Sequence, residues 1–256
     1  MPDRGRLTAG LRLAVTTLTV APIRPGPIDR ETAAVAMSVA PAVGAALGVA
    51  VAAVGVGAVG VGATPFLAAV LAVSAGVGLT RGLHVDGLAD TADALGSYRD
   101  PDSALAIMKK PDLGPLGVTA IVLALLAQVA AATTVLARPW YAAAAGVVAA
   151  TATGRLAVAV ACRRGVPAAR AEGLGSLVAG TVGPFALVLG ALAVAGVAAG
   201  AVPGRAWQGP LAVGIALVTV LLLLRHTVRR LGGITGDVLG AVCELAVTAT
   251  YVAISM

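Results

Sequence analysis

The chain has 256 residues, 59% of them hydrophobic and 12% charged, with a mean hydropathy of +0.96, against roughly 45–50% apolar and about 25% charged in soluble domains. Eighteen Lys and Arg with twelve Asp and Glu cannot cover a water-facing surface around so apolar an interior, which excludes a soluble globular protein, a disordered chain and a collagen. The net charge of +6 and pI near 10.1 find their explanation in membrane topology rather than in nucleic acid, and no nucleic-acid partner is expected.

A spanning helix needs about 20 mostly apolar residues. Leu7 to Val20 comes first, but Arg12, Thr16, Thr17 and Thr19 weaken it as a span. It reads as a short interfacial or re-entrant helix. No cleavage pattern leads from it into a soluble domain, so no removed signal peptide is expected. Seven segments then qualify as spans: Ala33 to Gly60, Pro65 to Leu83, Leu116 to Ala137, Trp140 to Cys162, Leu174 to Ala199, Leu211 to Leu231 and Val238 to Ser255. Aromatics are only 3% and glycines number 33, so these helices should pack closely through small residues. The expectation is one membrane-embedded catalytic domain over 1–256, an all-α polytopic bundle of about seven transmembrane helices. Cys162 and Cys243 lie in apolar runs without metal-ligand spacing and read as buried small residues.

Loops rich in Lys and Arg stay on the cytoplasmic side. Sixteen of the eighteen bases fall on one side of this alternation, leaving only Arg138 and Arg205 on the other. That puts the N-terminus inside and the C-terminus outside, in the cell membrane of a prokaryote, its cytoplasmic or inner membrane. Six of the twelve acids lie between residues 86 and 112, and all fall in cytoplasmic segments or the cytoplasmic halves of spans. Any acid chemistry therefore belongs to that face.

The sharpest feature is His84-Val85-Asp86-Gly87-Leu88-Ala89-Asp90-Thr91-Ala92-Asp93. On a helix, Asp86, Asp90 and Asp93 fall at i, i+4 and i+7 and share one stripe. Three carboxylates so close repel unless a cation joins them, and Mg²⁺ prefers carboxylate oxygens while keeping water and substrate phosphate in its shell. The alternative is a solvated acidic helix, against which stand the apolar neighbours Leu83, Val85, Leu88, Ala89, Ala92 and Leu95. His84 could serve as a base, a phosphate donor, an outer partner of the metal, or simply a satisfied histidine at a helix end.

A second constellation runs from Leu231 through Gly232-Gly233-Ile234-Thr235-Gly236-Asp237 to Glu244. Asp237 and Glu244 share a helical face, with Glu244 roughly 10 Å deeper. A carboxyl at that depth is functional by default, unless it pairs structurally with Arg155, which could instead meet a substrate phosphate. Lys109 and Lys110, in a Pro- and Gly-punctuated loop, could grip phosphate as point charges or be ordinary bases at a membrane surface. Clustered acids, bases and glycine-rich turns on one face point to metal-assisted phosphoryl or nucleotidyl transfer.

At these residues the chain resembles the adenosylcobinamide-GDP ribazoletransferases, also called cobalamin 5′-phosphate synthases. The resemblance rests on His84 to Asp93, on Met108-Lys109 with Leu113-Gly114, on Glu172-Gly173-Leu174-Gly175, and on Gly232 to Asp237 with Leu239-Gly240-Ala241 and Glu244. Order, spacing and length agree over nearly the whole chain. One departure is an exchange of charge order, Lys110 and Asp112 standing where the family usually shows an acid and then a base. The resemblance implies a Mg²⁺-dependent membrane enzyme that joins α-ribazole or its 5′-phosphate to adenosylcobinamide-GDP and releases GMP. It implies that Asp86, Asp90 and Asp93 bind Mg²⁺, with His84 as candidate base. Asp237 and Glu244 would complete the site or orient the ribazole; Lys109, Lys110 and Arg155, from their own chemistry, are the candidate contacts to substrate phosphate. The lipid bilayer and the two substrates are the expected partners; homo-oligomers or pathway enzymes docked on the cytoplasmic face are compatible with this.

Three competitors remain. A CDP-alcohol phosphotransferase requires Ala-Arg where this chain has Ala89-Asp90. A cation-coupled transporter should place ionisable groups near mid-membrane with access from both faces. A structural subunit gives no reason for the acid cluster.

Overall fold

Apolar runs in lipid must satisfy every backbone N–H and C=O within the segment, which selects helices. The computed structural model describes residues 4–24, 26 and 28–256; Asp3, one of the twelve acids, lies outside them. Among the described residues there are eleven helices and no strand, only isolated bridges at Arg163/Val182 and Ala168/Ile234.

The first helix, α1 (Arg4–Leu18), packs on α2 (Arg30–Gly60) through Leu13, Ala14 and Leu18. Asp29 caps α2 by accepting from the Thr32 N–H at 2.7 Å, and α2 runs 31 residues through an internal Pro41. The next helix, α3 (Pro65–Gly78), is only 14 residues long. Arg81 and Gly82 then adopt left-handed backbone (φ 54° and 68°), and α4 (Leu83–Gly96) leaves at 84° to α3. After α5 (Pro101–Ile107) come α6 (Pro115–Leu136), α7 (Trp140–Ala161), α8 (Leu174–Val178), α9 (Pro184–Ala198), α10 (Gln208–Leu231) and α11 (Gly236–Ser255).

The core is built around α7 and α11, most of whose residues are buried, and is dominated by Ala and Val. Such small side chains let helices approach closely where lipid provides no hydrophobic drive for helix association. Outward, α6, α9 and α10 present Leu123, Leu126, Phe185, Leu192 and Leu222 to the surroundings, a surface suited to acyl chains. The protein is a multi-pass membrane helical bundle.

Five helices are long and apolar enough to cross a membrane, or six if α3 and α4 form one broken span. Two expected spans differ from expectation. Leu174 to Ala199 is not one helix but α8 and α9. Gly180 is left-handed (φ 72°), Val182 donates to the Cys162 carbonyl at 3.0 Å, and Pro184 has no N–H with which to continue a helix. Pro65 to Leu83 ends at Gly78 and turns, because the backbone at Arg81 and Gly82 is left-handed. Helix α3 packs alongside α2 and α6, and α4, almost perpendicular to it, lies across the starts of α6 and α11. The expected N-terminal helix at Leu7 to Val20 is present as α1, which ends at Leu18.

Candidate active site

Helices α4 and α11 meet backbone to backbone. A Cβ on Gly87 would stand 2.6 Å from the Asp237 carbonyl oxygen and 3.1 Å from the Gly240 Cα, so only glycine permits this crossing. The contact sets the stripe of α4 beside the first turn of α11. Thr235 caps that turn, accepting from the Val238 N–H at 3.2 Å, and its hydroxyl lies 3.2 Å from an Asp237 carboxylate oxygen, to which it donates.

The carboxylates of the stripe meet different surroundings. Asp86 is exposed at the cleft. Asp90, one turn on, has its pKa pushed up to about 6 by burial and by the charges of Asp86, Asp237 and Asp93, so four acids share one field. Asp93 accepts from the Gly114 N–H at 2.7 Å and from the Gly117 N–H at 2.9 Å, tying the start of α6 to α4. Both of its oxygens are thereby engaged. The three aspartates lie on one stripe, but their ligand atoms do not converge on one point; among the described residues the group that does converge is His84, Cys243 and Glu244, within 4.8 Å of one another.

That group is a buried node on the inner side of α4, away from Asp86. His84 is 3% exposed, with no partner for Nδ1 among the described residues. Glu244 accepts from Gln128 Nε2 at 2.8 Å, and Gln128 also reaches the Thr248 hydroxyl at 3.0 Å. Arg155, equally buried, lines a cavity of about 40 Å³ together with Glu244, Gln128, Thr151 and Tyr251, enough for a few waters. It is near enough to act electrostatically on His84, Cys243 and Glu244. No ion pair directly joins Arg155 to Glu244 among the described residues. His84, Arg155 and Glu244 are thus brought together with one another and not with Asp86.

The open cleft, about 320 Å³, is lined by Asp86, Arg170, Glu172, Thr235 and Asp237 with the glycines between them. It adjoins a cavity of about 420 Å³ formed by Lys109 and residues 170–173. Lys110 is exposed and lines neither. Arg170, counted in the sequence only as a cytoplasmic base, is the cation common to both, and its Nη2 donates to the Leu105 carbonyl. Its segment is clamped to the approach of α11: Ala169 N–H donates to the Ile234 carbonyl and Ile234 N–H to the Pro167 carbonyl, each at 3.0 Å. A Cβ on Gly233 would come within 2.4 Å of the Pro167 oxygen. Arg170 stands two residues before the Glu172-Gly173-Leu174-Gly175 motif, a proximity that could have singled it out. Gln128 could have been found as an amide inside an apolar run.

Comparison with known proteins identifies relatives along nearly the whole chain. The family described as cobalamin-5-phosphate synthase matches residues 10–255. A protein of Frankia casuarinae named adenosylcobinamide-GDP ribazoletransferase is 40% identical over 262 residues, covering 96% of this chain and 94% of its own. Proteins of the same name are 42% identical in a Nocardioides species, covering 94% of this chain and 96% of theirs, and 39% identical in Corynebacterium efficiens, covering 98% and 93%. No solved structure matches the chain. A match of this extent, falling on a transferase family and running over nearly the whole chain, shows that the chain belongs to the cobalamin-5-phosphate synthase family and is an enzyme of the transferase class.

Proposed function

We propose that the protein transfers the adenosylcobinamide-phosphate group from adenosylcobinamide-GDP to α-ribazole or its 5′-phosphate, with Mg²⁺, releasing GMP and completing the nucleotide loop of cobalamin. The names carried by its relatives support the substrates. The observation that carries the site is the Gly87–Gly240 contact, which sets Asp86 and Asp237 at one cleft whose other wall holds Arg170, with Asp90 in the same electrostatic field.

The donor set suits Mg²⁺, which binds through one or two carboxylates and leaves positions for water and substrate phosphate. Asp86 and Asp90, with Asp237 alongside, would hold it, and the opposed charge on Asp90 is what a cation relieves. Asp93 joins the same field while anchoring α6. When bound, the ion neutralises charge on the pyrophosphate and on the leaving phosphate.

The protein's own groups then position the reactants. A ribazole oxygen forms a bond to the corrinoid-linked phosphorus as the bond from that phosphorus to the GMP oxygen breaks, and the attacking oxygen gives up its proton to solvent in the open cleft. Asp237, fixed by Thr235, is placed to orient that oxygen, and Lys109 faces phosphate from the adjoining cavity. His84, Arg155 and Glu244 support the crossing of α4, α7 and α11 from within. The basic end of the bundle, which carries the cleft, faces the cytoplasm in this proposal.

Membranes containing the protein should release GMP from adenosylcobinamide-GDP when α-ribazole and Mg²⁺ are supplied. Asp90→Asn should abolish release while membrane insertion is retained. Retained activity in that variant overturns the metal assignment, and a wild-type protein that releases no GMP overturns the function.

A further inference from the structure

We propose that Arg170 binds the phosphate that leaves with the guanosine nucleotide, and so holds the nucleotide half of the substrate in the cavity beside Lys109. The proposal rests on the function above and extends it to a residue and a chemical group.

The geometry carries it in three steps. First, Arg170 is the cation shared by the two adjoining spaces, the cleft with Asp86 and Asp237 and the outer cavity with Lys109. A pyrophosphate laid from one to the other places one phosphate near the carboxylates that would carry the metal and the second against the guanidinium. Second, the guanidinium is not consumed by the protein. One of its five N–H donors goes to the Leu105 carbonyl, and no ion pair joins it to Asp237 or Glu172 among the described residues. Its remaining donors match the fork geometry of phosphate oxygens. Third, it is preorganised: the backbone bonds between 167–169 and Ile234 fix its segment against the loop that delivers Asp237. As the phosphorus–oxygen bond breaks, charge grows on the nucleotide's phosphate, where a fixed guanidinium stabilises it. The sequence reading gave Arg155 a phosphate role, but Arg155 is buried in the α7/α11 interior, away from the cleft.

The test uses the full chain in lipid nanodiscs, wild type, Arg170→Met and Arg170→Lys, with GMP and guanosine as probes in calorimetric titrations and GMP release as the activity. Wild type should bind GMP more tightly than guanosine. Arg170→Met should weaken GMP binding about 10- to 100-fold while guanosine binding stays within about twofold; Arg170→Lys, which keeps the charge but not the fork, should fall between. If the methionine variant does not fold, as judged by melting temperature, the lysine variant carries the comparison. A folded variant that binds GMP as wild type does overturns the proposal, as does a wild type that transfers yet binds GMP no better than guanosine; both leave the function standing. Only a wild type that releases no GMP removes the function and the assignment together.

Discussion

Asp93 and Asp86 share a stripe seven residues apart, yet they meet different partners. Spacing along α4 was legible in the sequence, since i, i+4 and i+7 lie on one helical face. Which donors each carboxylate finds was not, because the two N–H groups that Asp93 accepts belong to Gly114 and Gly117, beyond α5 and a loop. Asp93→Ala should therefore leave two helix-end donors without a partner and lower stability by about 1–3 kcal/mol, read as a drop in melting temperature, whereas Asp93→Asn, which keeps one acceptor, should lose less. His84 illustrates the opposite. Two residues are about 200° around a helix, so a histidine at 84 and a carboxylate at 86 face away from each other. That geometry was present in the spacing and makes His84 part of the buried node.

At the scale of helices, the decisive contact is the crossing of α4 over α11. The glycines that allow it were visible as Gly87 and Gly240, but a glycine in a sequence does not name its neighbour. Gly87→Ala should favour helix locally by about 1 kcal/mol while forcing α4 away from the Asp237 carbonyl. Transfer activity should fall about 100-fold with helix content unchanged by circular dichroism; full activity would mean that the crossing does not set the site. The break between α8 and α9 was more nearly legible, since Gly183-Pro184 marks a helix start. It was overridden because the surrounding run of residues is apolar enough to count as one span.

Across the whole molecule, charge is sorted by end. Arg138 donates to the Ala201 and Ile254 carbonyls at 2.9 and 2.8 Å, closing the end opposite the cleft, whereas Arg30 holds the Ser176 and Ala179 carbonyls at 2.6 and 2.7 Å at the cleft end. Both native cysteines are buried, so single introduced thiols report topology cleanly. A membrane-impermeant maleimide should label Lys110→Cys only in inverted vesicles and Arg205→Cys only from outside intact spheroplasts. The reverse pattern would place the cleft on the outer face.

The sequence alone determined that this is a helical membrane protein with its acids and most of its bases at one end. Apolar length, backbone self-satisfaction in lipid and the distribution of Lys and Arg are properties of consecutive residues. Only the tertiary structure decided that Arg155 and Glu244 turn into the bundle with Gln128, that Arg170 takes the place at the cleft, and that two expected spans bend or break. Those outcomes depend on the rotation and crossing of helices far apart in the chain, which packing between small residues fixes and local pattern does not.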